Sequence, residues 1–218
     1  MGKLYVLEGL DGSGKSTQFE CLDKILGEKM IRHKAISFPD YCQPSSEPVK
    51  MYLGGQISQN ADDVNAYAAS SFYAVDRYIS YKKFWEADYA AGKLILASRY
   101  VSSNAIYQMA KLPRDKWDGY LDWLCNYEYE LMELPRPDRV VFLDMDLNVS
   151  QKLLSSRYEG DNSKRDIHEV NIGYLSKCRE AAYYSANKLG WDVLKCSDEN
   201  EPYPVGMITD SLLSILKI

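Results

Sequence analysis

Apolar residues gather in short blocks, and longer stretches with apolar positions at helical spacing lie between them. Lys3–Leu7 has the length and composition of a strand. Thr17–Leu26 follows as a helix that carries Phe19, Leu22, Ile25 and Leu26 on one face. Lys34–Phe38 is a second strand candidate, stopped by Pro39, and Lys93–Ala97 is a third. Arg139–Asp144 contains the unbroken run Val140-Val141-Phe142-Leu143, the pattern of a strand covered on both faces. Asp192–Cys196 is a weaker fifth. Helix-compatible stretches occupy Ala61–Ala90, Trp117–Leu131, Val149–Arg157 and His168–Leu189. Strands alternating with helices predict an α/β fold of three layers, with a mainly parallel five-stranded sheet in the middle.

Two polar interruptions matter as much as the regular elements. Asp40–Ser46 contains Pro and Ser and follows a strand, where α/β folds keep ligand-binding residues. Tyr158–Arg165 is polar, contains Gly160 and separates two helices. A short lid at about 157–166 has that composition, and so does an ordinary surface loop. Without an internal repeat, a low-complexity tract or a linker, residues 1–218 are expected to form a single domain.

Composition narrows the function classes. The 218 residues are 46% hydrophobic and 26% charged, enough apolar material for a real core. The net charge of −5 argues against general affinity for nucleic acid or an anionic membrane, which needs an excess of Lys and Arg. No apolar run approaches the length of a membrane span, and Glu8 cuts the first one far too early for a signal peptide. Cys21, Cys42, Cys125, Cys178 and Cys196 are scattered without metal-ligand spacing, so buried or idle thiols and a cytosolic location are expected.

The strongest chemical signal is Gly9-Leu10-Asp11-Gly12-Ser13-Gly14-Lys15-Ser16, followed by Thr17. It fits the G-x-x-x-x-G-K-[ST] phosphate-binding loop, and it lies between a strand and a helix, as the mechanism requires. Glycines let backbone N–H groups turn toward phosphate oxygens, and the helix N-terminus adds partial positive charge. Lys15 is expected on the β and γ phosphates of ATP, and the Ser16 hydroxyl on Mg²⁺. The loop by itself does not separate kinases from other nucleotide hydrolases, although no N-K-x-D base-reading motif of a GTPase is present.

An acceptor site would need further residues, and three segments offer them. Tyr73 and Arg77 are four apart and share a helix face, where a ring and a guanidinium suit a nucleobase. Spacing alone favours a core-facing tyrosine beside a surface salt bridge. Ser98-Arg99 closes the third strand, at the end where ligands bind in α/β sheets, and Arg99 there suits a phosphate. Ser103, Asn104, Tyr107 and Gln108 offer polar groups along one side of the helix that follows, although the segment reads also as a plain strand-to-helix turn with a capping Ser. Arg157, Lys164 and Arg165 supply cations at the lid candidate, or merely a solvated charged loop.

Taken in order, these segments resemble thymidylate kinase, of the P-loop nucleoside monophosphate kinase family. The resemblance runs through Glu8–Gln18, Phe38-Pro39-Asp40-Tyr41, Asp76-Arg77, Arg99–Gln108, Pro137-Asp138 and Lys164–Glu169. It implies ATP-dependent phosphorylation of dTMP to dTDP with Mg²⁺ as cofactor. It places Asp11 at the acceptor sugar 3′-hydroxyl, Phe38 in the wall of the acceptor pocket, and Tyr41 and Arg99 near the acceptor phosphate. Tyr73 would stack on thymine where the family has Phe, and Arg77 would bond O4 with Ser103 and Asn104 nearby. Tyr107 would exclude a ribose 2′-hydroxyl. The uncharged Gly12 implies that the lid carries the assisting cation, with Arg165 ahead of Lys164 and Arg157. Family members are commonly homodimers, and Val64, Ala68, Phe72, Val75 and Ile79 would serve an interface or a core alike. Ser98 departs from the family Asp, which supports a weakened nucleotide-binding homologue as one alternative; a related kinase with another acceptor, such as dUMP, UMP or a deoxynucleoside, is the other.

Overall fold

A computed structural model of the chain describes residues 1–58, 60, 63–157 and 172–218. Their strands form a five-stranded sheet in the order β2-β3-β1-β4-β5, parallel at every pairing. β1 (Leu4–Gly9) is buried throughout, and β4 (Arg139–Asp144) from its second residue on. β3 (Leu94–Ser98) flanks β1 on the other side, while β2 (His33–Ser37) and β5 (Asp192–Lys195) form the half-exposed edges.

Alternation along the strands divides the core into two layers. Leu4, Val6, Ile95, Ala97, Val140 and Phe142 face one way, onto α5 (Val101–Tyr107), α6 (Trp117–Cys125) and α8 (Ile172–Leu189). Tyr5, Leu7, Leu96, Val141 and Leu143 face the other, onto α1 (Lys15–Glu28), α7 (Leu147–Arg157) and α9 (Val205–Leu216). The sheet thus lies between two helical layers, as the apolar runs predict.

The long stretch expected from Ala61 to Ala90 resolves into pieces. α3 (Ala66–Ser80) begins where the Asn65 side chain accepts from Ala68 N–H at 2.9 Å. It passes through a π-helical turn, Tyr81–Trp85, into α4 (Glu86–Ala90). Val64, Ala68 and Phe72 turn inward against Tyr52 of α2 (Glu47–Leu53), whereas Val75 is 40% exposed. The stretch Trp117–Leu131 likewise ends in a π-helical turn, Asn126–Leu131. α9 was not among the anticipated elements, although Ile208, Leu212 and Leu216 repeat at helical spacing and are buried against α1.

The chain runs from β1 outward to β2, returns to β3, and then crosses to β4 on the far side of β1. Strand order therefore reverses beside β1, and a crevice opens beyond the carboxyl ends of β1 and β3. Among the described residues no helix is long and apolar enough to cross a membrane, and the five cysteines are free.

Candidate active site

The loop after β1 takes its shape from steric limits. A Cβ on Gly9 would sit 2.3 Å from Ser13 Oγ and 3.2 Å from the Leu143 carbonyl, so a larger residue at the strand end would have to displace the Ser13 side chain. Gly12 has a φ of +78°, and a Cβ there would lie 2.6 Å from the Ser150 carbonyl of α7. α1 starts after Gly14 without a side-chain cap, which leaves its first N–H groups directed at the loop. Leu10, Asp11, Gly12, Ser13, Gly14, Lys15, Ser16 and Thr17 line a cavity closed on one side by Leu153 and Leu154 of α7. Gly9 does not line it; its part is to let Ser13 pack close.

A second cavity of about 320 Å³ opens in the crevice, a size that suits a small ligand. Phe38, Pro39 and Tyr41 reach it from the end of β2, and Tyr73 and Arg77 from α3. Ser98 and Arg99 enter from the end of β3, and Ser103, Asn104, Tyr107 and Gln108 from α5 and the residue after it. Asp11, Lys15 and Ser16 line this cavity as well as the first. Every residue that the sequence proposes for acceptor binding therefore lies in one place, adjoining the phosphate-binding loop.

Arg99 sits at a φ of +66°, a left-handed conformation that is uncommon without glycine and that collects at functional sites. Its N–H donates to the Leu7 carbonyl at 3.0 Å, and its Nη2 donates to Asp11 Oδ1 at 2.6 Å. The guanidinium lies over the Tyr107 ring at 5.1 Å. Burial works against its charge, but Tyr107, Asp11 and Glu8 outweigh that and hold its pKa well above the ordinary value. Burial likewise drives the Tyr107 hydroxyl well above its usual range, so it stays protonated, 3.5 Å from Asp11 Oδ2. Tyr174 of α8 braces this corner by donating to the Tyr107 carbonyl at 2.6 Å.

Several polar groups behind the wall take roles that a reading of motifs does not assign. Glu8 is fully buried and accepts from Tyr100 N–H, Ser102 Oγ and Ser103 Oγ. Asp76 accepts from Asp40 N–H at 2.8 Å and Ser45 Oγ at 2.6 Å, which ties α3 to the loop after β2. Glu128 accepts from Arg77 Nε at 2.7 Å and Nη2 at 2.6 Å, and from Asn104 Nδ2 at 3.0 Å. Burial opposes the Arg77 charge, yet Glu128 raises its pKa above the ordinary value. Gln108 is almost wholly buried, and its Oε1 has no hydrogen-bond partner among the described residues. Glu128 was legible in one respect: it continues the buried stripe of Trp117, Tyr120, Leu121 and Leu124, where a carboxylate needs a partner. Of the lid candidates, Lys164 and Arg165 lie outside the described residues, and Arg157 is the last residue of α7.

Residues 7–202 match the family described as Thymidylate kinase. A protein called probable thymidylate kinase from Pyrobaculum aerophilum is 27% identical over 188 residues, covering 81% of this chain and 83% of its own. The thymidylate kinase of Mycobacterium tuberculosis is 26% identical over 190 residues, covering 86% and 87%. The solved structure of the Candida albicans thymidylate kinase superposes with a TM-score of 0.70, covering 99% of this chain and 91% of that one at 22% identity, a likeness of fold.

Proposed function

The chain belongs to the thymidylate kinase family, ATP-dependent phosphotransferases that convert dTMP to dTDP, and we propose how its two joined cavities divide that reaction. One observation carries the reading: Asp11, Lys15 and Ser16 line both cavities, so a donor in one and an acceptor in the other meet at the same three side chains. The N–H groups of the loop and of the first turn of α1 hold the ATP phosphates, with Lys15 on the transferring group. In the second cavity Arg99 takes the acceptor phosphate, assisted by Tyr41. Asp11 meets the sugar, and Tyr107 closes the space that a 2′-hydroxyl would need. Tyr73 covers the base, and Arg77 donates to its O4, with Ser103, Asn104 and Gln108 along the remaining edge.

Transfer then needs positioning more than acid–base chemistry. An acceptor phosphate oxygen forms the new bond to the γ-phosphorus, the β–γ bridging bond breaks, and ADP leaves with the electron pair. The nucleophile is already an anion, so no strong base is required. Lys15 neutralises charge as it redistributes, and the family resemblance assigns Arg165, Lys164 and Arg157 the same task.

A magnesium ion fits this site in the manner usual for nucleotide enzymes, mostly through phosphates and water with few protein groups. Ser16, on the first turn of α1 and lining both cavities, would hold it. No cluster of three acidic, His or Cys side chains among the described residues offers an alternative cage. When bound, the ion neutralises charge on the β and γ phosphates. We further infer that residues 1–218 act as one kinase domain and that two copies pair through the outer face of α3. Tyr67, Val75 and Tyr78 are about two-fifths exposed there.

Initial-rate assays with ATP and a panel of acceptors test the reading. dTMP is expected to give the highest kcat/KM, dUMP a lower one, and UMP or unphosphorylated thymidine at most a hundredth of it. Thymidine matching dTMP would remove Arg99 from the acceptor phosphate and redirect the assignment to nucleosides.

A further inference from the structure

Arg77 and Asn104 both line the acceptor cavity, yet neither chooses its own orientation. Behind them lies Glu128, fully buried and absent from the cavity wall. Its Oε1 accepts from Arg77 Nη2 and Asn104 Nδ2, and its Oε2 accepts from Arg77 Nε. Asn104 Nδ2 also donates to the Ser70 carbonyl at 3.2 Å, so both amide hydrogens are spent away from the cavity. That fixes which end of the amide faces the cavity: Asn104 presents Oδ1, which accepts no hydrogen bond among the described residues. For Arg77, one Nη1 hydrogen goes to the Tyr100 carbonyl at 3.3 Å, and Glu128 takes the Nε edge. The two guanidinium hydrogens left over are therefore donors toward the cavity.

We propose that Glu128 is a positioning residue that sets the donor–acceptor polarity of the base-reading wall, and with it the choice of pyrimidine. The inference rests on the proposal that this cavity takes the acceptor base. One carboxylate imposes a donor from Arg77 beside an acceptor from Asn104. A thymine or uracil edge matches that pair, because it offers a carbonyl at C4 and an N–H at N3. A cytosine edge reverses both groups: its C4 amine meets the Arg77 donors, and its bare N3 meets the Asn104 oxygen. Each mismatch strands a buried polar group, and such mismatches discriminate strongly in active sites.

Glu128→Gln tests the idea because it keeps size while supplying an amide. A glutamine NH2 at the shared position faces Arg77 Nη2 and favours the opposite orientation of the Asn104 amide, which would place Nδ2 at the cavity. Measured against wild type, the ratio of kcat/KM for dTMP over dCMP is expected to fall at least tenfold. The loss for dTMP should lie mainly in KM, with the KM for ATP changed less than twofold. A merely structural role would lower both acceptors together and leave the ratio alone. Glu128→Asp, which retains charge but is too short to reach both partners, should fall between. A folded Glu128→Gln or Glu128→Asp variant with an unchanged ratio overturns the proposal. If neither variant melts cooperatively, the ratio is read in Asn104→Ala, where an unchanged value overturns it equally. Failure of the wild type to prefer dTMP over dCMP would instead count against the acceptor reading itself.

Discussion

Arg99 Nη2 and Asp11 Oδ1 lie 2.6 Å apart, joining the end of β3 to the phosphate-binding loop across 88 positions of sequence. The pair is only about one-fifth exposed on either side chain, so the contact is partly desolvated and stronger than a surface ion pair. It couples the residue assigned to the acceptor phosphate with the residue assigned to the acceptor sugar. The left-handed backbone at Arg99 aims its side chain back across the crevice, and the Tyr107 ring supports the guanidinium from below.

Arg99→Lys keeps the charge but loses the planar fork that can hold Asp11 and a phosphate together. We expect kcat/KM for dTMP to fall by about 10²-fold, on the scale of one lost charge-stabilising donor, while the KM for ATP changes less than threefold. Steady-state kinetics with each substrate varied in turn provide the check. A variant that loses ATP affinity instead would show that the pair serves the loop rather than the acceptor.

Much of this was legible beforehand, and the reasons differ by element. β4 is continuous in apolar residues because both its faces are covered, and its bounds follow from the sequence without adjustment. Most of the acceptor candidates could be named because Phe38, Tyr41, Arg99 and Ser103 to Gln108 follow strand ends, where parallel sheets keep their ligands. Tyr73 and Arg77 instead lie within α3 and are named through the family resemblance. Glu8, Asp76 and Glu128 act from behind the wall, and their partners lie 94, 31 and 51 residues away, beyond the reach of local pattern. The break in the Ala61–Ala90 stretch escaped for another reason. Tyr81–Trp85 preserves a helical run of apolar and polar residues while changing the hydrogen-bond register, and composition does not record register.

Gly12 explains why this loop carries no second cation beside Lys15. A Cβ there meets the Ser150 carbonyl at 2.6 Å, and the φ of +78° disfavours any residue with a side chain. Gly12→Ala should cost about 2–3 kcal/mol, from the left-handed backbone and from the displacement of α7. Urea denaturation would show the loss as a lower midpoint at unchanged slope, and the KM for ATP should rise because α7 forms part of that cavity's wall. Unchanged stability would mean that α7 shifts freely away from the loop.

The thiols should divide sharply by reactivity. Burial pushes Cys178 and Cys196 up to about 12, and alkylation proceeds through the thiolate. At pH 8 iodoacetamide should label exposed Cys42 within minutes and leave Cys178 and Cys196 unmodified until denaturant is added. The sign for stability follows. Both thiols hold their protons more tightly folded than unfolded, so their contribution is intact below about pH 8.5 and declines as pH climbs toward 12. Peptide mass spectrometry after timed quenching reads the labelling.

Asp144 closes β4 with a carboxylate that is 2% exposed, and α8 supplies all its side-chain partners among the described residues. Arg179 donates from Nε and Nη2 at 2.7 and 2.8 Å, and the Tyr183 hydroxyl donates at 2.6 Å. The fork holds α8 against the sheet, and α8 in turn carries Tyr174 to the Tyr107 carbonyl. Arg179→Leu leaves the buried charge with only Tyr183, which should cost about 2–3 kcal/mol, moderated because Arg179 itself is partly exposed. Replacing Asp144 by Asn as well removes the stranded charge, so the double variant should recover part of that loss although it has one native partner fewer. The recovery separates the two accounts of the pair. If Arg179 acted only by packing its stem, the second change would add to the damage. A double-mutant cycle from chemical denaturation decides between them, with a coupling energy above about 1 kcal/mol expected for a pair this close.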